Sequence, residues 1–462
     1  MVIDKWFNHL IRKDSYISSL VVFRIIFGLM MAVSTLRFIL KGWINDLYIT
    51  PKYYFTYFGF DWVTPFDPIT MYILFGILLS CSIFIMIGLF YRINIVVFFL
   101  LFTYIELLDK TNYLNHYYFI SLMSFLLIFL PAHRSFSLDC FFGFCRKKTF
   151  TPAWTINIIK VQLGIVYLFA GIAKLNYHWL FEAQPLINWL KHQSDFPLIG
   201  NLLLYDATAY IFSWCGAIFD LTIFFILISD RWRIFGYMFV VFFHLVTSIM
   251  FPIGVFPLIM VCSTLIFFSN EFHQKIIVVI SKCLFIKKTN YTNDSYSFLP
   301  KVKSVYKIFF ISFFIIQLLL PFRYLLYPGK LFWTEQGFRF SWRVMLIEKA
   351  GYAQFYVHEP KEDRKMVIQN CNYLTPQQEK MMSTQPDMIL QYAHFLSDEF
   401  KDSTILESDG ETINLGSNPK ITANIQVSLF NKGSRTFIDP NINLASTNRG
   451  FKNKDWILPY EK

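Results

Sequence analysis

The sequence predicts a polytopic α-helical membrane protein of about nine transmembrane helices, followed by a strand-rich C-terminal extramembrane α+β domain. Three observations predict it. Only 16% of the 462 residues are charged, 55% are hydrophobic and the mean hydropathy is +0.43, whereas a soluble chain carries about 25% charged residues. Apolar stretches of membrane-spanning length recur from Ser18 to Tyr327. Beyond residue 330 the composition turns polar and strand-like alternation appears.

About 20 apolar residues cross the hydrocarbon core as a helix. Nine stretches approach that length, near residues 18–40, 70–90, 93–108, 116–132, 155–175, 209–229, 232–250, 254–269 and 305–327, the third and eighth being short. The 54 Phe and 26 Tyr suit lipid-facing and interfacial positions. The first stretch begins near Ser18 with no small-residue cleavage site, so no removable signal peptide is expected.

Basic residues set the orientation. Lys5, Arg12 and Lys13 precede the first stretch, Arg92 follows the second, and Arg134, Arg146, Lys147 and Lys148 follow the fourth. Arg231 and Arg233 follow the sixth, and Lys275, Lys282, Lys287, Lys288, Lys301 and Lys303 lie between the eighth and ninth. With nine spans all fall on one side, which the positive-inside rule makes cytoplasmic. The N-terminus is then cytoplasmic, and the C-terminal domain faces a periplasm or lumen. The opposite loops, 41–69 and 176–208, are aromatic-rich and read as interfacial caps or re-entrant segments.

Two domains are expected, a transmembrane helical domain over 1–329 and an extramembrane domain over 330–462. Within the latter, Pro376–Phe400 reads as helical, while Ala353–His358 and the alternating Ile421–Leu429 read as strands.

The net charge of +11 is accounted for by the positive-inside loops and contact with anionic membrane lipid. Its dispersal over separate loops argues against a nucleic-acid partner. Cys81, Cys140, Cys145, Cys215, Cys262, Cys283 and Cys371 form neither a CxxC nor a Cys/His metal spacing, so no metal site and no disulfide framework is indicated.

Lys174, at the outer end of the fifth stretch, carries the most information. A desolvated amine tends to lose its proton and becomes a general base, but a lysine at a helix end also snorkels to the interface. Both readings are open from spacing alone. Lys160, Tyr167 and Lys174 recur every seven residues, which puts them on one stripe. Ala170, Gly171 and Ala173 leave room for a second helix or a flat ligand.

Asp109–His116 packs an acid, a base, two amides and an imidazole into eight residues, with Asn115 and His116 as candidate binding groups; a solvated loop is the alternative. His244 lies inside the seventh stretch, as a site residue or as a hydrogen-bonded packing residue. Arg24, inside the first, requires a partner or a cage of carbonyls. The aromatic and basic segment Arg323–Met345 reads as an interfacial anchor between membrane and tail, or as a carboxylate site using Arg339 or Arg343, whose guanidinium groups bind carboxylates in a bidentate manner.

These pieces resemble vitamin K-dependent gamma-carboxylases and their bacterial homologues with the horizontally transferred transmembrane (HTTM) domain. The resemblance rests on FRIIFG (Phe23–Gly28), GLFYRI (Gly88–Ile93), LLDKTNYLNHYY (Leu107–Tyr118), AGIAKLNYHW (Ala170–Trp179), FHLVTSIMFPIGVF (Phe243–Phe256), WTEQGFRFSWRVM (Trp333–Met345), DMILQYAHFL (Asp387–Leu396) and RTFIDP (Arg435–Pro440), in order over almost the whole chain. It implies an enzyme of the carbon–carbon lyase class that oxidises reduced vitamin K (phylloquinol or menaquinol) with O2 to the epoxide, and uses the strong base so formed to carboxylate a peptide glutamate with CO2. Neither a metal nor biotin takes part in that chemistry.

The resemblance places the hydroquinone-deprotonating base on Lys174 and a second catalytic position on His133. Ala132 stands where animal members carry Asn, and the topology puts His133 on the inner side, so a role for it in helix packing or quinone position is equally open. The family's glutamate-binding stretch overlies Gly337–Met345, which adds Phe338 and Trp342 to Arg339 and Arg343. Phe338 falls where animal enzymes carry Tyr. The chain ends at Lys462 where animal carboxylases continue, so propeptide recognition of the animal kind is not expected.

Three functions are thereby in competition. One is quinol-dependent gamma-glutamyl carboxylation with a glutamate-containing peptide or protein as partner. The second is quinol epoxidation or oxidation without carboxylation. The third is a non-enzymatic lipid-binding or scaffold protein.

Overall fold

The structure, a computed structural model, describes residues 14–197, 199–283, 303–359, 364–406 and 412–460. The basic residues Lys5, Arg12, Lys13, Lys287, Lys288 and Lys301 lie outside the described residues.

The apolar stretches form α1 (Ser18–Leu40), α2 (Pro68–Ile87), α3 (Tyr91–Leu108), α4 (Asn115–Phe129), α5 (Trp154–Lys174), α6 (Asp206–Ile228), α7 (Arg233–Met250), α8 (Phe256–Ser263), α9 (Asn270–Cys283) and α10 (Lys303–Leu319). Among the described residues seven helices are long and apolar enough to cross a membrane, or eight if a bent pair counts as one span. The two expected spans that fall short have local causes. Helix α4 has 15 residues, about 22 Å at 1.5 Å per residue, against a hydrocarbon core of about 30 Å. Helix α8 and its 3-10 extension to Phe267 meet α9 at a bend of 116°.

Local chemistry sets the ends. Asp67 accepts from the Thr70 backbone N–H at 3.1 Å and Pro68 occupies the first turn of α2. Small residues set the closest helix contacts. A Cβ on Gly28 of α1 would lie 2.5 Å from the Met86 nitrogen of α2, and one on Gly171 of α5 would lie 2.8 Å from the Leu221 nitrogen of α6. The room expected beside Gly171 is therefore taken by a helix. Arg24 is fully buried, and donates to the carbonyls of Ile85 (3.3 Å) and Phe136 (2.6 Å), the cage its position required.

Short strands β1 (Asp14–Tyr16) and β2 (Phe150–Pro152) pair at the bundle end where α1 and α5 begin. The C-terminal region holds β3 (Lys349–His358), β4 (Lys365–Val367), the pair β5 (Thr404–Leu406) and β6 (Thr412–Asn414), β7 (Lys420–Leu429) and β8 (Ser434–Thr436). An antiparallel sheet runs β4-β3-β7-β8, with β3 and β7 paired from Lys349↔Leu429 to His358↔Lys420.

Alternation works as the sequence suggests. Ala353, Phe355 and Val357 of β3 and Ile421, Ala423, Ile425, Val427 and Leu429 of β7 are buried. The expected helical stretch is split into α11 (Pro376–Met382), started by a Thr375/Gln378 capping box, and α12 (Pro386–Glu399). Helix α12 contributes Met388, Ile389, Tyr392 and Leu396 to the same core.

That core does not stop at the sheet. It takes in Phe55, Trp179, Leu186, Leu190, Leu203 and Phe251 from the loops and helix ends on one side of the bundle. The loops 41–69 and 176–208 are thus a platform for the C-terminal domain. Gln378 Nε2 donates to the Tyr53 carbonyl (2.6 Å) and to Asp109 (2.8 Å), Lys52 to the Asn372 carbonyl (2.9 Å), and Lys432 pairs with Glu182 (2.7 Å).

Candidate active site

Helix α5 ends on this domain-facing side, and Lys174 is its last residue. The lysine is not an isolated charge. Its Nζ lies 2.6 Å from Asp220 Oδ2 on α6, with the two side chains 8% and 7% exposed. The Gly171–Leu221 approach brings the helices close enough for this pair. An ion pair is far cheaper to bury than a bare ammonium. The Trp179 ring covers the amine, its centroid 5.4 Å away, and is held by a hydrogen bond from its indole N–H to the Ser213 carbonyl at 2.8 Å.

The stripe on α5 faces α6, α7 and the turn after α8. Lys160 lies over the Phe267 ring at 5.8 Å, Tyr167 Oη lies 3.2 Å from His244 Nε2, and Lys174 meets Asp220. His244 is enclosed by Phe219, Phe243 and Phe256, and its Nδ1 is buried with no hydrogen-bond partner among the described residues. His116, on the first turn of α4, reaches the same Phe256 ring at 5.9 Å. Asn115 beside it points the other way and donates to the Arg343 carbonyl at 3.0 Å.

The stretch 335–345 descends from the C-terminal domain onto these helices in a strained path. Glu335, Phe340, Trp342 and Met345 all have φ between 50° and 60°, and Gly337 has φ 80°. Each non-glycine residue there costs about 1–2 kcal/mol, and such strain concentrates at functional segments. Contacts on both sides hold it. Tyr113 Oη accepts from the Phe340 N–H at 2.8 Å, Trp342 stacks on Tyr118 at 4.9 Å, and the Arg343 guanidinium lies over the Tyr324 ring at 4.4 Å. The Lys349 ammonium clamps Glu335 at 2.9 Å. Phe338 packs on Phe332, which in turn touches His178, the neighbour of Trp179.

A cavity of about 140 Å³ opens along this stretch. Lys110, Arg323, Arg339 and Lys454 face it with Glu335 and Asp387, four cations to two carboxylates. Asp387 Oδ2 is 2.8 Å from both Lys110 Nζ and Arg339 Nη1. Arg339, then Lys110, hold the Asp387 carboxyl well below the usual carboxylate range against its burial. Burial pushes the Lys110 ammonium down to about 8, although Asp387 opposes this.

His133 is elsewhere. Its turn is tied to the beginning of α5 by a hydrogen bond from the Lys148 N–H to the Arg134 carbonyl at 2.8 Å, so the 21 residues of α5, about 30 Å, separate it from Lys174. Its ring stacks on Tyr91 at 5.2 Å. Burial, followed by the charges of Arg92, Arg134 and Arg24, pushes its imidazole down to about 3, which keeps it neutral. The catalytic pairing of His133 with Lys174 is therefore not one the fold brings together.

Residues 13–272 match the HTTM domain family, and residues 302–462 match the vitamin K-dependent gamma-carboxylase lumenal domain family. The chain belongs to the vitamin K-dependent gamma-carboxylase family. No solved structure matches it. Membership makes this carboxylase homologue one of an enzyme family that depends on vitamin K and acts on glutamate-containing substrates.

Within this carboxylase homologue, reasoning from sequence passed over Asp220 and Asp387. An acid inside an apolar stretch is as costly as a lysine, and that signal was present for Asp220 in IFDLTIFF. Asp387 entered as the first residue of the family-matching DMILQYAHFL but was given no role, since an aspartate after Pro386 reads as ordinary helix-start chemistry.

Proposed function

We propose that this chain is a vitamin K hydroquinone-dependent gamma-glutamyl carboxylase in which Lys174 is the base. The observation that carries the proposal is the buried Lys174–Asp220 pair at the bundle end that meets the C-terminal domain. Lys174 Nζ first releases the proton of the resting ion pair; the neutral amine then takes up a proton as base, and the ammonium so formed returns to its pair with Asp220 Oδ2 without a net buried charge. Trp179 and the C-terminal domain exclude water from this end.

A flat, apolar hydroquinone suits the aromatic group of Tyr167, Phe219, His244 and Phe256, and the unpaired His244 Nδ1 offers it a hydrogen bond. Bound there and oxidised by O2, it would supply the strong base that glutamyl carboxylation needs. His116 lies at the edge of this group, and Asn115 ties it to the 335–345 stretch. The excess positive charge of the cavity suits a peptide glutamate, with Arg339 and Lys110 drawing in its γ-carboxylate. Trp342 and Arg343 brace the stretch against Tyr118 and Tyr324, and His133 is assigned to packing.

The basic connections around Arg92, Arg134, Arg146–Lys148 and Arg231–Arg233 lie at the bundle end away from the C-terminal domain. Positive-inside orientation then puts the N-terminus in the cytoplasm, and Lys174 and the C-terminal domain toward a periplasm or lumen.

A second function, epoxidation without carboxylation, is favoured by Phe338, whose ring lies against Phe332 at 6.4 Å where animal enzymes carry a hydroxyl-bearing Tyr. One paired assay separates the alternatives. Membranes are given reduced vitamin K, O2, labelled bicarbonate and a glutamyl peptide. Epoxide together with incorporated label supports the carboxylase; epoxide alone leaves the epoxidase; neither product leaves a lipid-binding or scaffold protein.

A further inference from the structure

The connection between α4 and α5, at the bundle end away from the C-terminal domain, carries a second chemistry-bearing cluster. Cys140 and Cys145, both half-buried free thiols, face each other with 3.0 Å between their sulfurs. Both point at the His133 carbonyl, at 3.4 and 3.7 Å. The turn between them is already closed by backbone hydrogen bonds, from the Gly143 N–H to the Cys140 carbonyl (3.4 Å) and from the Cys145 N–H to the Asp139 carbonyl (3.2 Å). Asp139 fixes the turn to the start of α3 by accepting from the N–H groups of Phe90 (2.7 Å) and Tyr91 (3.1 Å). The sulfurs are thus held together by a scaffold that does not depend on a bond between them.

We propose that Cys140 and Cys145 form a thiol–disulfide exchange site for anionic low-molecular-weight disulfides, separate from the Lys174 chemistry. The facing sulfurs supply the attacking and resolving thiols. Arg134, Arg146, Lys147 and Lys148 in the same connection supply charge complementary to a carboxylate-bearing disulfide.

Cys140 is the attacking thiol. The hydrogen bond from the Cys145 thiol, ahead of one from Ser137 and the charge of Arg134, outweighs burial and brings the Cys140 thiol down to about 7, while Cys145 is raised. A thiol near ambient pH is the efficient nucleophile for exchange. The Cys140 thiolate attacks one sulfur of the incoming disulfide, and a mixed disulfide forms as the first thiolate leaves. Cys145 then attacks the Cys140 sulfur, the intramolecular disulfide forms, and the second thiolate leaves. The protons shed by Cys140 and Cys145 convert the leaving groups to two thiols. The dithiol loses two electrons and the small disulfide gains them. On the cytoplasmic side proposed above, such a disulfide is transient and reports the thiol poise.

The test uses the full chain in detergent micelles, equilibrated against glutathione buffers of increasing oxidised fraction, quenched by alkylation and mapped by peptide mass. The expected result is a peptide linking Cys140 to Cys145, lighter by two hydrogens, forming before Cys81, Cys215, Cys262, Cys283 or Cys371 reacts. In Cys145→Ser, glutathione stays trapped on Cys140; in Cys140→Ser, adduct formation at Cys145 is at least tenfold slower than trapping at Cys140. Alkylation of both thiols at every poise, or equal rates in the two single variants, would overturn the proposal. These readouts do not involve quinol turnover, so they stand or fall apart from the carboxylase assignment.

Discussion

Removing Asp220 exposes what the Lys174 pair contributes. The two side chains are 8% and 7% exposed and their atoms lie 2.6 Å apart, so water screens neither. Breaking a buried ion pair by deleting one partner costs about 3–5 kcal/mol, whereas single hydrogen bonds inside membrane bundles average nearer ~0.6 kcal/mol. Asp220→Ala strands an amine whose remaining polar and aromatic contacts among the described residues are the Ala170 carbonyl at 3.4 Å and the Trp179 ring. The larger figure applies, and about 3 kcal/mol corresponds to roughly a hundredfold in the unfolding equilibrium. The double variant Lys174→Met/Asp220→Leu removes both charges and should regain most of that loss, because apolar replacement of a buried pair is often neutral or stabilising. Thermal unfolding in micelles, followed by tryptophan fluorescence, reads the stability, and epoxide formation reads the chemistry. We expect Asp220→Ala to be unstable and inactive, and the double variant to be stable and inactive. An Asp220→Ala protein with wild-type unfolding temperature and wild-type turnover would show that the pair neither holds the helices nor serves the base.

Other perturbations give separate outcomes. Because burial lowers Lys110 to about 8 in the folded protein, its charge is lost there as pH rises through 8, while the unfolded lysine keeps its proton to about 10.4. Stability tied to Lys110 therefore rises between those values, yet the cavity loses a cation. The KM for an acidic peptide should increase above pH 8, and Lys110→Gln should abolish that increase; an identical pH profile in the variant refutes the role. Gly171→Val places a side chain 2.8 Å from the Leu221 backbone and should cost about 1–3 kcal/mol by overpacking, with loss of turnover as Lys174 is drawn from Asp220; an unchanged unfolding temperature would contradict the contact. His133→Ala should lose about 1 kcal/mol of stacking on Tyr91 and keep its turnover per folded molecule. A loss of turnover without a loss of stability would return His133 to the chemistry.

The membrane helices were legible because hydrocarbon demands long apolar runs, and the strand at Ile421–Leu429 was legible because one buried face imposes a period of two; its pairing with β3 comes from the fold. The two short spans were less so: length alone cannot reveal the 116° bend after Phe267. At the site, Lys174 was visible as an energetic anomaly, but its meaning changed with a partner 46 positions away. The sequence suggested a lone amine; the fold supplies a neutral pair. His133 and Lys174 look alike as site residues in one dimension and are separated by a helix length in three. Cys140 and Cys145 were missed because a search for CxxC ignores a spacing of five, which the turn at Gly143 (φ 78°) folds into contact.

The core shared between the C-terminal domain and the loop platform has a consequence in time. Phe55 is synthesised 300 residues before Phe355 and 382 before Phe437, residues that complete the same core. At about 5–20 residues per second, the platform must wait roughly 20–75 s for the chain that covers it. During that interval its apolar residues stand open at the bundle end, next to an unfinished sheet whose β3 has the short β4 on one edge and nothing on the other until β7 appears. Biogenesis of this protein is therefore limited by its last hundred residues, and a late truncation should be cleared by quality control although every membrane helix is in place.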